Sequence, residues 1–140
     1  MEKVDKPEEY WREKLTAEQF KVTRKKGTER AGSGPLNLEK RDGTYHCVCC
    51  DHPLFKSEHK FESGTGWPSF FDIHNNESIE LRQDRSLIFR VRTEVVCAKC
   101  DAHLGHVFED GPQPSGKRYC MNSVAMKFDP QQSNKENSES

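Results

Sequence analysis

Two pairs of cysteines, Cys47 with Cys50 and Cys97 with Cys100, constrain this 140-residue chain more than any other feature. Two intervening residues let both sulfurs of a pair converge on one tetrahedral ion from a tight turn. Two such knuckles close a four-thiolate site with no open position, which is how structural zinc is held. The gap between the pairs is longer than in a simple zinc ribbon, so the fold has to bring the knuckles together. Asp51 and Asp101 each follow the second cysteine of their pair, a hint of matching turns. Two other readings stand beside zinc. A C-x-x-C can be a redox pair, but that expects a strand–helix–strand setting, and turns and short strands surround these. Paired cysteines can also be small buried hydrophobes. Cys49, inside the first knuckle, either replaces one of the assumed ligands or is a free thiol beside the metal. Pairing Cys47 with Cys50 matches the spacing of the second pair.

Composition explains why a staple is needed. Only 32% of the residues are apolar and the mean hydropathy is -0.98, so the core of this one-domain length is small. A formal net charge of -1 argues against a general binder of nucleic acid or membrane surface. No apolar stretch approaches the length of a membrane span, and Met1–Lys6 lacks the apolar run of a secretory signal. The chain is therefore expected to be soluble and cytoplasmic, with its thiols reduced. A precursor that had lost a targeting segment would leave the same sequence.

Local signals predict a mainly β domain, a compact sheet or small barrel with short N-terminal helices. Pro7-Glu8-Glu9 suits a helix start, Thr16-Ala17-Glu18-Gln19 has capping-box spacing, and Gly27 is a plausible stop. Leu15, Phe20 and Val22 are too few to make a core alone, so these helices should lie against something else. Alternation at Leu87, Phe89 and Val91, and again at Val124, Met126 and Phe128, predicts two strands with one buried face. Thr44–Cys47 and Ile79–Arg82 are weaker strand candidates. Turns are expected at Asn75-Asn76, Gln83-Asp84-Arg85 and Asp110-Gly111-Pro112. The expected organisation is a flexible N-terminus over 1–6, the domain over 7–128, and a polar, disordered tail over 129–140.

Cys120 stands apart from both knuckles. A lone cysteine with histidines in an intracellular chain is a candidate nucleophile, and its thiolate needs a cation or donors to lower its pKa. Arg118 could supply charge, Asn122 a donor amide, and His103 or His106 a proton near neutral pH. Equally, Cys120 could be core and Arg118 surface, and the histidines could merely extend the second knuckle. Trp67, between a glycine and a proline, is placed to present a flat apolar face for recognition, or to cap the core beneath its loop.

Three segments then carry a resemblance. Gly64-Thr65-Gly66-Trp67-Pro68-Ser69-Phe70, Ala102-His103-Leu104-Gly105-His106-Val107-Phe108 and Arg118-Tyr119-Cys120-Met121-Asn122-Ser123 closely resemble the methionine-R-sulfoxide reductases, the type B enzymes. The resemblance runs from about Tyr10 to Phe128, with both cysteine pairs where zinc-bearing members have theirs. It implies a small β domain of two antiparallel sheets and an enzyme that repairs oxidised methionine, free or in proteins. Cys120 would attack the sulfur of the R epimer and be left as sulfenic acid. His103 and His106 match the family's acid and oxygen-binding histidines, Asn122 its amide donor, and Trp67 the wall against the substrate methyl. Asp110 and Arg118 match a pair that orders the site. One structural zinc on Cys47, Cys50, Cys97 and Cys100, a monomeric state, and regeneration by thioredoxin or another thiol reductant are implied with them.

Two departures qualify the likeness. Many members carry a resolving cysteine near the Gly-Trp-Pro loop, where this chain has Thr65 and Glu62, and no cysteine lies between Cys50 and Cys97. Resolution then falls to Cys49, to a zinc cysteine or, as we expect, to an external thiol. Relatives also often have Pro-Phe-Ser-Gly where this chain has Ala31-Gly32-Ser33-Gly34, and losing that aromatic bears on the packing of the N-terminal segment and on one side of the pocket.

Overall fold

Local chemistry sets the N-terminal helices in a computed structural model that describes residues 1–131. Helix α1 spans Glu8–Lys14, with Pro7 at its N-cap and both first-turn glutamates favouring the positive end of the dipole. Helix α2 spans Ala17–Lys25 and has the expected capping box. The Gln19 N–H donates to Thr16 Oγ1 at 3.1 Å, and the Thr16 N–H donates to Gln19 Oε1 at 2.9 Å. Lys26, not Gly27, takes the left-handed conformation that ends the helix, with φ of 59°. The Gly27 N–H then closes the end on the Lys21 carbonyl at 3.0 Å.

The strands form two antiparallel sheets. In the smaller, the order is β2-β1-β9, with β1 at Gly43–Cys47, β2 at Pro53–Lys56 and β9 at Met126–Pro130. The larger has the order β3-β4-β8-β7-β6-β5. Its strands are β3 (Lys60–Phe61), β4 (Ser69–Phe70), β5 (Ile79–Asp84), β6 (Arg92–Cys97), β7 (His103–Phe108) and β8 (Arg118–Met121). Neither sheet closes on itself, so the architecture is two open sheets and not a barrel. Aromatic rings join them. Phe55 of β2 stacks on Phe70 of β4 at 4.4 Å between centroids, and Tyr45 of β1 meets the same ring edge-on at 4.9 Å.

Trp11, Leu15, Phe20 and Val22 are buried in this same core, so the helices do lie against the sheets. Arg24 ties them to the second knuckle, stacking 4.6 Å over the Trp11 ring and donating to the Cys100 carbonyl at 2.9 Å. At the N-terminus, the Val4 N–H donates to the Lys99 carbonyl at 2.8 Å.

Several expectations need correction. Leu87–Val91 forms no strand; it is the connection between β5 and β6, and its apolar side chains are exposed, Ile88 by 89% and Phe89 by 96%. Alternation stabilises a strand only when one face has a surface to cover, and here neither does. Asp84 ends β5 instead of sitting in a turn. Val124 and Ala125 belong to a 3₁₀ turn over Ser123–Ala125, so only Met126 and Phe128 of that alternating set lie in β9. That strand runs to Pro130, and the rest of the expected tail, 132–140, lies outside the described residues.

Candidate functional site

The two knuckles adopt one shared turn. In the first, the Asp51 N–H donates to the Cys47 carbonyl and the Cys47 N–H to the His52 carbonyl, each at 2.9 Å. In the second, Asp101 and Cys97 make the same bonds to Cys97 and Ala102, again at 2.9 Å. Asp51 (φ 71°) and Asp101 (φ 65°) both take the left-handed conformation, for which aspartate is among the better-suited residues after glycine. The matched turns aim Cys47, Cys50, Cys97 and Cys100 at one point. Their sulfurs lie within 4.8 Å of one another, none is in a disulfide, and together they could hold a metal ion. Cys49 is buried beside this cluster and is not one of the four.

A second centre forms on the larger sheet, where β8 pairs antiparallel with β7 and places Cys120 directly opposite His106. Gly105 makes this pairing possible. A Cβ there would stand 2.1 Å from the Cys120 carbonyl oxygen, so only a glycine lets the strands come this close. A register shift in the β6–β7 ladder, between Val95 and Val96, upsets the regular alternation along β7. His103 and His106, three residues apart, would otherwise face opposite sides, yet their rings lie 5.4 Å apart.

The cavity in front of Cys120 measures about 370 Å³, and Trp67, His106, Asp110, Arg118 and Asn122 line it together with Thr65. Of the residues singled out from sequence for this site, His103 alone does not line the cavity. It is buried behind His106, with Nδ1 2.7 Å from Glu94 Oε2. Trp67 is half-buried, not freely exposed, and its indole N–H donates to the Glu29 carbonyl at 3.0 Å. Arg118 grips Asp110 through two bonds of 2.9 and 3.1 Å while lying 4.5 Å over the Phe108 ring. Asn122 Nδ2 donates to the Leu104 carbonyl at 3.1 Å, and its Oδ1 accepts the Glu29 N–H at 2.9 Å.

Burial governs the charges. It pushes the Cys120 thiol up from its ordinary pKa, against the opposing pull of the Thr65 hydroxyl and the Arg118 guanidinium. That direction is opposite to the lowered pKa that a cation or donors beside the thiol would give. Thr65 Oγ1 sits 4.0 Å from Cys120 Sγ, so the threonine occupies a position from which a cysteine could reach the nucleophile. His106 is pushed down chiefly by burial, opposed by Asp84, whose carboxylate meets Nε2 at 2.7 Å. Asp84 is itself held well below the usual carboxylate range by its bonds to Ser86, then by His106 and Arg92.

Sequence reasoning missed Asp84 and Glu29. Asp84 falls within an expected turn cluster, and its pairing with His106 depends on strands that only the fold brings side by side. Glu29 is buried, and its main chain holds both Trp67 and Asn122. Its Oε1 accepts the Val124 N–H at 3.0 Å, Oε2 has no partner among the described residues, and burial raises its pKa. A buried acid in a Thr-Glu-Arg-Ala-Gly stretch gives no local signal. The Ala31–Gly34 segment packs on the Trp67 loop, with the Gly32 N–H donating to the Gly66 carbonyl at 2.7 Å.

Comparison with known proteins places this arrangement. The SelR domain family matches residues 15–130. A protein of Pseudomonas putida (strain W619) named peptide methionine sulfoxide reductase MsrB is 57% identical over 131 residues, 93% of this chain and 97% of that one. An MsrB of Methanosarcina barkeri is 52% identical over 136 residues, covering 97% and 95% of the two chains. The rice protein named peptide methionine sulfoxide reductase B1, chloroplastic, is 56% identical over 121 residues, 86% of this chain and 56% of its own length. With the family match spanning most of the chain and identities above half over nearly its full length, this protein belongs to the SelR domain family of MsrB enzymes.

Proposed function

We propose that this chain reduces the R epimer of methionine sulfoxide, free or in proteins, with Cys120 as nucleophile and an external thiol as the source of electrons. The observation that carries the reading is the single cavity in which Cys120, His106, Trp67 and Asn122 converge. In the resting site Cys120 holds its proton and His106 is neutral, since burial disfavours both charges. On substrate binding the thiol proton passes to His106 and from there to the sulfoxide oxygen, while the Cys120 sulfur attacks the substrate sulfur. The hydroxyl then passes from the substrate sulfur to the Cys120 sulfur as the substrate sulfur–oxygen bond and the transient sulfur–sulfur bond both break. Methionine leaves with two more electrons, and Cys120, oxidised by the same two, is left as sulfenic acid. His103, braced by Glu94, backs the imidazole that transfers the proton. Trp67 packs on the substrate methyl group, and the Asp110–Arg118 pair orders the cavity mouth around the cysteine.

Two thiols complete the cycle. The first condenses with the sulfenic acid to a mixed disulfide and water; the second releases Cys120 and leaves as the oxidised reductant. Thioredoxin or a smaller thiol could serve. An external source is favoured because Thr65 carries a hydroxyl where a resolving thiol would reach Cys120, and Cys49 is buried in the knuckle region.

The four-cysteine site suits one structural zinc. With zinc–sulfur bonds of about 2.3 Å, a tetrahedral ion would set sulfurs about 3.8 Å apart. Cys47 and Cys100 stand at 3.7 Å and Cys50 and Cys97 at 3.5 Å, with no oxygen or nitrogen ligand needed. Zinc held there by the four thiolates would supply stability and leave no position for substrate. We read the working unit as a monomer whose domain covers 7–128, acting in repair of oxidised proteins under oxidative stress. A reducing compartment such as the cytoplasm suits its free thiols. After one turnover without reductant, dimedone should label Cys120 and no other cysteine, as read by mass spectrometry. A Cys120–Cys49 disulfide in its place would overturn the external-thiol cycle.

A further inference from the structure

The β5–β6 connection is built unlike the other loops. Its base is clamped at the active site: the Ser86 N–H donates to Asp84 Oδ1 at 2.9 Å, and Arg92 bonds Asp84 Oδ2 at 3.1 Å, the same oxygen that holds His106. Its tip, Leu87-Ile88-Phe89, stands in solvent with Phe89 exposed by 96%. Three consecutive large apolar side chains presented to water are costly to a chain with so few apolar residues to spend, and such patches mark interaction sites. Arg85 and Arg90 flank the tip, and neither forms an ion pair among the described residues. Arg90 also lines both the hollow at the tip and the cavity in front of Cys120. The apolar patch, the free positive charge and the cavity therefore form one continuous surface.

We propose that this loop docks the polypeptide that carries the oxidised methionine. The occupant is an extended, unfolded segment in which the methionine sulfoxide enters the cavity. A neighbouring apolar side chain covers Ile88 and Phe89, and an acidic residue meets Arg85 and Arg90. The cavity takes the sulfoxide group whether or not a polypeptide follows it, so recognition of flanking residues has to come from outside it. Continuity through Arg90 favours a polypeptide over a lipid surface, because whatever covers the tip also reaches the mouth of the cavity. The proposal rests on the reductase reading above and adds the surface that reads the residues flanking the sulfoxide.

The test is steady-state kinetics of the full chain and of an Ile88→Ser/Phe89→Ser variant, with dithiothreitol as reductant so that no protein reductant has to dock. Three substrates are compared: free methionine R-sulfoxide, a nonapeptide with the sulfoxide flanked by leucine and aspartate, and one flanked by glycine and lysine. Both changes are on exposed side chains outside the cavity lining, so a thermal melt should be unchanged. The expected result is a KM for the leucine–aspartate peptide raised roughly tenfold, equivalent to about 1.4 kcal/mol. Values for free sulfoxide and for the glycine–lysine peptide should stay as in the parent. Equal KM values for parent and variant on every substrate would overturn the docking proposal while leaving the reductase reading intact. So would a patch that serves only to dimerise the chain in sedimentation, or only to bind anionic phosphatidylglycerol vesicles, with peptide kinetics unaltered. Failure of the parent to reduce even free methionine sulfoxide would instead sink the reductase reading, and this proposal with it.

Discussion

Cys120 and His106 show how one physical cause sets two protonation states. Burial disfavours charge on both, so the thiol keeps its proton and the imidazole lacks one. In the proposed reaction the Cys120–His106 pair is neutral at rest and becomes an ion pair only when substrate gives the proton a destination. Asp84 tunes this balance, since its carboxylate is the group that raises the His106 pKa against burial. His106 there receives its proton from the Cys120 thiol, so turnover falls as pH rises through the Cys120 pKa. Asp84→Asn removes the charge that stabilises the imidazolium formed on the way, so kcat should drop by roughly tenfold or more at neutral pH. A pH–rate profile of the variant that overlays the parent would show that Asp84 does not set the acid. Neither Asp84 nor Glu29 was legible in the sequence, because each acts through a partner distant along the chain. The cysteine pairs, Cys120 and His106 were legible because local spacing or rarity marked them.

Elements were legible where their signal is local. The capping box of α2 needs only four consecutive residues, and β1 and β5 show as short runs bounded by turns. The Leu87–Val91 segment misled because period-two alternation reports a fitness for strand, not the presence of a surface to pack on. Strand β8, four residues long, was noticed for its chemistry and not for its shape. Its pairing with β7 hinges on Gly105, which presses against the Cys120 carbonyl. Gly105→Ala should therefore displace β8. Overpacking of this kind costs about 1–3 kcal/mol, read from urea unfolding, and kcat should fall because the displaced strand carries Cys120. Unchanged stability and activity in that variant would mean the two strands have slack the geometry does not show.

At the scale of the molecule, a small aromatic core between two open sheets is pinned at one end by the four-cysteine site, with Arg24 and Trp11 tying the helices to the same end. Structural zinc in small sites contributes about 10–16 kcal/mol, comparable with the whole stability of a domain, about 5–15 kcal/mol. Cys97→Ser should therefore lose the metal and the cooperative thermal transition together, by metal analysis and circular dichroism. Full metal content with a normal melt would contradict the four-thiolate assignment. The pairing of sheets was implied only by family resemblance, because its long-range contacts leave no mark in local periodicity. Turnover of each epimer of methionine sulfoxide by the purified chain with dithiothreitol, beside Cys120→Ser, tests the proposed chemistry. Reduction of the R epimer alone, abolished in the variant, is expected; turnover of the S epimer, or activity that survives the loss of Cys120, would rule the proposed chemistry out.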